Sequence, residues 1–354
     1  MVKSKIGMET LRMASKRIEV IDVCKGLLML CVILVHTQLV CDTLHEELPF
    51  VCALPNIISP FYACFFMPAF FLLSGYVSHF EKPLVPFLFS NLKSLLIPWI
   101  SFTCLSALVE YFIFGNKQLQ ITIGQEKYNL FVECFWFVQA LLLARLGYYL
   151  FKRFLSPSYI IIGGACFLCL LVGVYLNNCF FGQNSSHYLN WFHYRNALCF
   201  IIFLWVGDML KGIDLKSSLI SIFAILYLVC CGLVICHVAP PFVIYTDSVS
   251  MTLSQIPWWL FVALTGTAFL LVIARWFAKS RILGFLGRNS LVVYLTHFLV
   301  YLCTVKILSA FFMPGGKISS VIFLLVSFVM TIVFCLLIAS VMSRKPFCYL
   351  LGKF

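Results

Sequence analysis

Three ionisable side chains occur within one otherwise apolar stretch near the start of the chain. The stretch DVCKGLLMLCVILVH, at residues 22–36, contains Asp22, Lys25 and His36. At about 100° per residue, His36 would lie ~20° from Lys25 and ~40° from Asp22 around a helix. All three would share one helix face, with Lys25 and His36 about 16 Å apart along the axis. Such a face offers a proton acceptor and an anion-binding cation.

Each of these side chains also has a structural interpretation. Asp22 and Lys25 have the i,i+3 spacing of an interfacial ion pair, with the lysine ammonium extending to the membrane surface. His36 could form a hydrogen bond between helices. Ionisable groups are costly inside a membrane and usually face a cavity with a function, so three on one face favour a functional site.

The composition indicates a membrane protein. Hydrophobic residues make up 62% and charged residues 11% of the 354 positions, which is too apolar for a soluble domain. Apolar runs of roughly 17 to 25 residues recur, each long enough to cross about 30 Å of hydrocarbon as a helix. The runs lack the alternating polarity of barrel strands. The sequence predicts ten membrane helices, at approximately 20–41, 57–78, 95–115, 129–151, 158–180, 194–210, 217–238, 256–277, 289–312 and 318–342.

Basic residues in the connecting segments predict the orientation. Nineteen of the 25 lysine and arginine residues lie on one side if the amino terminus is cytoplasmic, and four lie on the other. The positive-inside rule therefore places both termini in the cytoplasm. The basic residues on the cytoplasmic side face anionic headgroups and explain most of the net charge of +12, so no nucleic-acid partner is expected.

The connecting segments are too short to form a second domain. We expect one all-α integral-membrane domain over residues 1–354, with a short basic cytoplasmic segment at 1–19. The first hydrophobic run is expected to be retained as a signal-anchor helix, because it carries charges and shows no small-residue cleavage site.

The 17 cysteines show no metal-binding pattern. Most lie in predicted helices, where a thiol packs as a small hydrophobe. Cys41 and Cys52 flank the first outer loop and could pair in an oxidising compartment. No spacing resembles a zinc site, so no metal is predicted.

Several motifs together resemble a known family. The run RIEVIDVCKGLLMLCVILVH (17–36) resembles the first helix of the membrane acyltransferase-3 family, most closely its fucose 4-O-acetylase-like bacterial branch. That family has a basic residue and a histidine separated by ten residues, as Lys25 and His36 are. At the start of the third helix, where the family usually carries several basic residues, this chain has Lys93 beside Asn91. Further resemblances follow in the family's order: FFMPAFFLLSGY (65–76), LKSLLIPW (92–99), FWFVQALLL (135–143), FLWVGDMLK (203–211) and FLGRNSLVVYLTHF (285–298).

The resemblance implies acyl transfer, usually of acetyl from cytoplasmic acetyl-CoA to a sugar hydroxyl of a glycan, or its lipid-linked precursor, at the outer face of a bacterial inner membrane. Because CoA carries several phosphate charges, its nucleotide should stay on the basic cytoplasmic side. Donor contacts are expected from Lys25, Lys93, Ser74, Arg288 and Asn289. Each of three residues also has a structural interpretation. Arg288 could be one of the basic residues that face cytoplasmic headgroups, Ser74 could serve helix packing, and Asn289 could cap a helix.

His36 is the expected general base, because an imidazole can remove the sugar hydroxyl proton as the oxygen attacks the thioester. Lys25 would assist at the thioester. Contacts with the acceptor are expected from Asp22, His297 and Glu133, although Asp22 could instead hold Lys25, and His297 could form a helix–helix hydrogen bond.

Two other functional classes remain open. A proton-coupled transporter or lipid-glycan flippase could use Asp22, Lys25, His36 and Glu133 as a proton pathway, but the chain shows no internal inverted repeat. A catalytically inactive relative could act as a scaffold or sensor. Acetyl transfer from acetyl-CoA would distinguish the enzyme from both.

Overall fold

The computed structural model describes residues 19–36, 58–113, 115, 120–123, 126–129, 135–155, 158–180, 191–213, 216–243, 251–312 and 316–353. The predicted roles of Glu133 and of the Cys41 and Cys52 thiols lie outside these residues.

The described part of the chain is mainly helical. A two-stranded antiparallel hairpin follows the fourth helix, with Gln120 opposite Asn129 and Ile123 opposite Glu126, so the prediction of an all-α chain needs this small correction. The elements are α1 (19–36), α2 (Pro60–Val77), α3 (Leu84–Asn91), α4 (Ile97–Ile113), β1 (Gln120–Ile123), β2 (Glu126–Asn129), α5 (Trp136–Phe154), α6 (Tyr159–Phe180), α7 (Tyr194–Met209), α8 (Ser217–Ile235), α9 (Ile256–Trp276), α10 (Arg281–Arg288), α11 (Ser290–Phe311) and α12 (Lys317–Met342).

Each of the ten predicted membrane spans overlaps one of these helices. By length and composition, seven of the described helical segments could cross a membrane, namely α2, the continuous run Leu84–Phe112, α6, α8, Leu253–Trp276, α11 and Ile318–Met342. The other three are shorter or more charged. Helices α1 and α5 each carry three charged residues, and α7 has 16 residues. The outer helices expose large apolar side chains such as Ile160 and Phe311, as expected for surfaces in contact with lipid.

Two connecting segments are more helical than the sequence indicated. The predicted loop at 79–94 is wrong over most of its length, because α3 begins at Leu84 and continues through a π-helical turn, Leu92–Leu96, into α4. The basic segment before α11 forms the short helix α10, whose first turn is capped by the Ser280 hydroxyl accepting from the Leu283 amide at 3.3 Å. The neighbouring membrane spans begin and end close to their predicted bounds, so the incorrect prediction concerns only the connecting segments.

Close packing of α2 against α7 forms the centre of the bundle. Gly75 of α2 lies against the Leu204 backbone, and Gly207 of α7 lies against the Leu72 backbone, so a Cβ at either glycine would collide with a carbonyl oxygen. Small residues allow such close approach between membrane helices. This contact accounts for Gly75 within the motif at 65–76.

A buried ion-pair network fixes the end of α7. The Asp208 carboxylate accepts hydrogen bonds from the Lys211 ammonium at 2.7 Å, the Lys152 ammonium at 2.9 Å and the Tyr148 hydroxyl at 2.9 Å. Lys211 also donates to the Ser78 carbonyl. The network therefore links α5 and α7 to the connection that follows α2.

Candidate active site

His36 and His297 lie side by side in the folded chain. Their ring centroids are 4.8 Å apart, and the Phe298 ring packs edge-on against His36 at 5.4 Å. His36 ends the described part of α1, and His297 is buried in the middle of α11. The tertiary structure thus pairs the two histidines to which the sequence assigned different roles.

The hydrogen bonds of His297 define its tautomer. Its Nδ1 lies 2.6 Å from the Tyr294 carbonyl and 3.2 Å from the Val293 carbonyl. Because a carbonyl can only accept, Nδ1 carries the proton and Nε2 presents a lone pair. Neither this Nε2 nor the Nδ1 of His36 has a hydrogen-bond partner among the described residues, although both atoms are buried.

A cavity of about 200 Å³ adjoins His36 where five helices meet. Its walls are mainly apolar and aromatic, and the lining residues are Val32, Val35, His36, Ala63, Cys64, Phe66, Met67, Pro68, Trp136, Phe200 and Trp259. Pro68 has no amide hydrogen, so the Cys64 carbonyl lacks its usual intrahelical donor at this wall. The cavity is smaller than the ~300–1,000 Å³ of typical ligand pockets, which suits a reacting group better than a whole CoA molecule.

The cytoplasmic half of α1 carries the second part of the predicted site. The Asp22 carboxylate lies 3.8 Å from the Arg288 guanidinium, and the Asp22 backbone packs against Gly287. Gly26 packs equally closely against the Leu283 backbone. These contacts hold α10 against α1 and place Arg288 beside Asp22, the residue one helical turn before Lys25.

Three predicted donor-binding residues come together in one pocket. Lys93, Arg288 and Asn289 line a cavity of about 390 Å³, together with Ser90, Ser94, Leu291, Val292, Leu351, Gly352 and Lys353. The described lining residues include three cations and no acidic side chain. The Asn289 side chain makes no cap hydrogen bond for α11, and its amide instead donates to the Phe285 carbonyl in the last turn of α10 at 3.0 Å.

A larger cavity of about 690 Å³ is also lined by Arg288, together with Glu19, Lys279 and Arg281, among others. The Glu19 carboxylate makes this cavity less favourable for phosphate than the one beside Lys93. We therefore regard the Lys93 pocket as the stronger anion-binding candidate.

The remaining predicted residues are placed as follows. Lys25 is half-buried on α1 and lines none of these three cavities. Ser74 is half-buried on α2, beside the close helix contact of Gly75, and also lines none of them. Asp22 pairs with Arg288 rather than lying near the two histidines.

Sequence reasoning did not identify two further cations, Arg145 and Lys353. Arg145 lies on α5, where its charge repels that of Lys25, and its buried Nε has no hydrogen-bond partner among the described residues. The sequence did indicate Arg145 as a candidate, because a charged residue within the apolar run at 136–149 is costly in a membrane. Lys353 had no such signal, because its position depends on the folded chain.

No group of three or more histidine, cysteine or acidic side chains comes together as a metal site within the described ranges.

These features describe a multi-pass membrane protein with a pair of adjacent histidines and a separate basic pocket. Residues 18–340 match the family model described as an acyltransferase domain, so the chain belongs to the acyltransferase-3 family. The match confirms the resemblance to the membrane acyltransferase-3 family and indicates membrane acyltransferase activity. No curated protein and no solved structure matches the chain.

Proposed function

We propose that this protein transfers an acetyl group from cytoplasmic acetyl-CoA to a sugar hydroxyl of a glycan or lipid-linked precursor on the outer side of a bacterial inner membrane. The observation that carries this proposal is the pair of adjacent histidines, each with a buried ring nitrogen that lacks a partner among the described residues. The choice of acetyl group and sugar acceptor rests on the resemblance of the sequence motifs to the fucose 4-O-acetylase-like branch.

The basic pocket is the proposed site of the donor nucleotide. Lys93 and Arg288 provide positive charge for phosphate groups, and Asn289 lies between them and the start of α11. Asp22 orients Arg288 through their ion pair. Acetyl-CoA, when bound, supplies the activated thioester.

Lys25 lies on α1 between Asp22, which pairs with Arg288, and His36. It lies about one turn from Asp22 and about 16 Å from His36 along the axis of α1. A half-buried ammonium at this level could hold the polar part of the donor arm on its path into the bundle. Ser74 remains a proposed donor contact on the neighbouring helix α2.

The histidine pair is the proposed proton acceptor. As the acceptor hydroxyl attacks the acyl carbon, His36 takes its proton on the buried Nδ1. The Nε2 of His297 accepts a hydrogen bond from the same or a neighbouring sugar hydroxyl and so orients it. The proton on the imidazole can then pass to the departing sulfur, which returns His36 to its neutral state. We retain Glu133 as a further proposed acceptor contact.

A reconstituted transfer assay tests the proposal. Purified protein in liposomes is incubated with radiolabelled acetyl-CoA and membrane glycolipids, and label in the lipid-linked sugar fraction is measured. We expect label with the wild type and little with His36→Gln. Movement of glycolipid across the liposome without CoA, and with no label transferred, would instead establish a transporter or flippase.

A further inference from the structure

The segment that follows α12 folds back against the basic pocket. Residues 347–351 form a short 3₁₀ helix, in which Cys348 and Leu351 are buried. The Gly352 amide donates to the Tyr349 carbonyl at 2.9 Å, and the Lys353 amide donates to the Cys348 carbonyl at 3.2 Å. With Gly352 at φ +68°, this is the Schellman arrangement that ends a helix. Residues 343–353, called here the closing segment, therefore have a defined fold.

The closing segment contacts the pocket at both of its ends. At its start, the Ser343 hydroxyl lies 3.4 Å from the Asn289 side-chain oxygen. At its end, Gly352 packs against the Lys93 backbone so closely that a Cβ would collide with the Lys93 carbonyl oxygen. Leu351, Gly352 and Lys353 then form one wall of the cavity that Lys93, Arg288 and Asn289 line.

Lys353 adds positive charge to a pocket whose nearby membrane span begins with only one basic residue. Only Lys93 provides positive charge between residues 83 and 113. Lys353 brings a second ammonium to the same pocket wall through the folded chain rather than through the local sequence. The family match ends at residue 340, so family membership assigns no role to the closing segment.

We propose that Lys353 is a donor-binding residue, which the closing segment positions beside Lys93 and Arg288 to bind a phosphate group of the acyl-CoA. This inference rests on the proposed function. Phosphate carries more negative charge than one cation neutralises, so a third cation in the pocket adds affinity without contacting the reacting thioester. Lys353 should consequently affect donor binding and leave the chemical step unchanged.

The test compares Lys353→Gln with the matched control Lys345→Gln, which removes a lysine of the same segment that does not line the pocket. CoA binding is measured by calorimetry in phosphatidylcholine nanodiscs, where no anionic headgroup can fill the pocket. Because Lys353 is exposed, we expect roughly a threefold to tenfold loss of CoA affinity in Lys353→Gln. Lys353→Arg should retain most of the affinity, and Lys345→Gln should bind as the wild type does.

Two further measurements separate binding from structure. In the transfer assay, Lys353→Gln should raise KM for acetyl-CoA with kcat unchanged, a division that general destabilisation would not produce. Gly352→Ala, which is strained at a positive φ and collides with Lys93, should raise KM in the same way by displacing the segment.

The outcomes distinguish this inference from the proposed function. Wild-type protein that binds CoA while Lys353→Gln loses no affinity would overturn the role of Lys353 and leave the proposed function intact. Wild-type protein that binds no CoA would overturn both. If added anionic lipid competes with CoA in the wild type but not in Lys353→Gln, while CoA affinity is equal in the two, then Lys353 binds headgroup phosphate and the donor role is wrong.

Discussion

The imidazoles of His36 and His297 lie 4.8 Å apart between ring centroids, although they belong to α1 and α11. A carbonyl of its own helix holds the Nδ1 proton of His297, so the basic Nε2 is the atom available for a ligand. The two rings thus provide two buried nitrogens that can accept a proton, next to a cavity of about 200 Å³. This arrangement makes the roles of the two histidines separable by experiment.

Substitution of His36 by glutamine should abolish most acyl transfer. Glutamine can form hydrogen bonds but cannot take up a proton at neutral pH, and positioned proton transfer is worth about 10² to 10⁴ in rate. The measurement is kcat with labelled acetyl-CoA, together with thermal unfolding to verify folding. His79→Gln is the matched control, because His79 is an exposed histidine outside the site.

His297→Gln should reduce transfer by a smaller factor if His297 orients the acceptor. The double variant should then lose little beyond His36→Gln, because the two residues act on one proton transfer. Near wild-type transfer by a folded His36→Gln protein would make His36 structural and leave His297 as the base to be tested.

Replacement of Lys25 by alanine should weaken acetyl-CoA binding. The loss of one charged hydrogen bond is worth about 1.5–3 kcal/mol. Lys25→Arg should retain part of the affinity, since arginine preserves the charge. Calorimetry on the purified variants measures this, with Lys306→Ala as the control for removal of a lysine from another membrane helix. Equal affinity in Lys25→Ala and the wild type would exclude Lys25 from donor binding.

Loss of the Asp208 carboxylate should destabilise the fold. Its side chain is only 1% exposed and binds both Lys152 and Lys211. Asp208→Asn therefore removes the counter-ion of Lys211 and leaves Lys152 with only the exposed Glu81 carboxylate. We expect about 3 kcal/mol of destabilisation, because removal of one member of a buried pair typically costs 3–5 kcal/mol and these lysines are partly exposed. Thermal or denaturant unfolding in detergent measures the change.

The control for Asp208→Asn is Glu81→Gln, which removes the second partner of Lys152. The Glu81 side chain is 65% exposed, so its loss should cost less than about 1 kcal/mol. Similar destabilisation by both variants would contradict the assignment of Asp208 as the buried centre of the network.

The predicted orientation can be tested by thiol labelling in a background without native cysteines. Single cysteines introduced at 41–56 and at 178–190 should react with an impermeant reagent added outside intact cells. Cysteines at 82 and 279 should react only after the membrane is permeabilised. The reverse pattern would exchange the donor and acceptor sides and exclude a cytoplasmic CoA pocket beside Lys93.

The sequence alone determined the membrane helices and the family. Apolar runs of this length are stable in lipid only with their backbone hydrogen bonds made internally, so α2, α6 and α8 follow from local composition. The placement of Lys25 and His36 on one helix face depends only on their 11-residue spacing, so it could also be predicted from the sequence. Short connecting helices such as α10 were missed because the prediction rested on apolar runs long enough to cross a membrane, and α10 has only eight residues.

Only the tertiary structure decided which side chains meet. His297 reaches His36, Arg288 reaches Asp22 and Lys353 reaches the Lys93 pocket through contacts between segments that are far apart in sequence. Such contacts depend on how helices pack, and at Gly26, Gly287 and Gly352 the packing brings backbones together at distances that no hydrophobic pattern encodes. The charges of the proposed donor pocket therefore come from three separate segments, because the fold, rather than one local motif, assembles them.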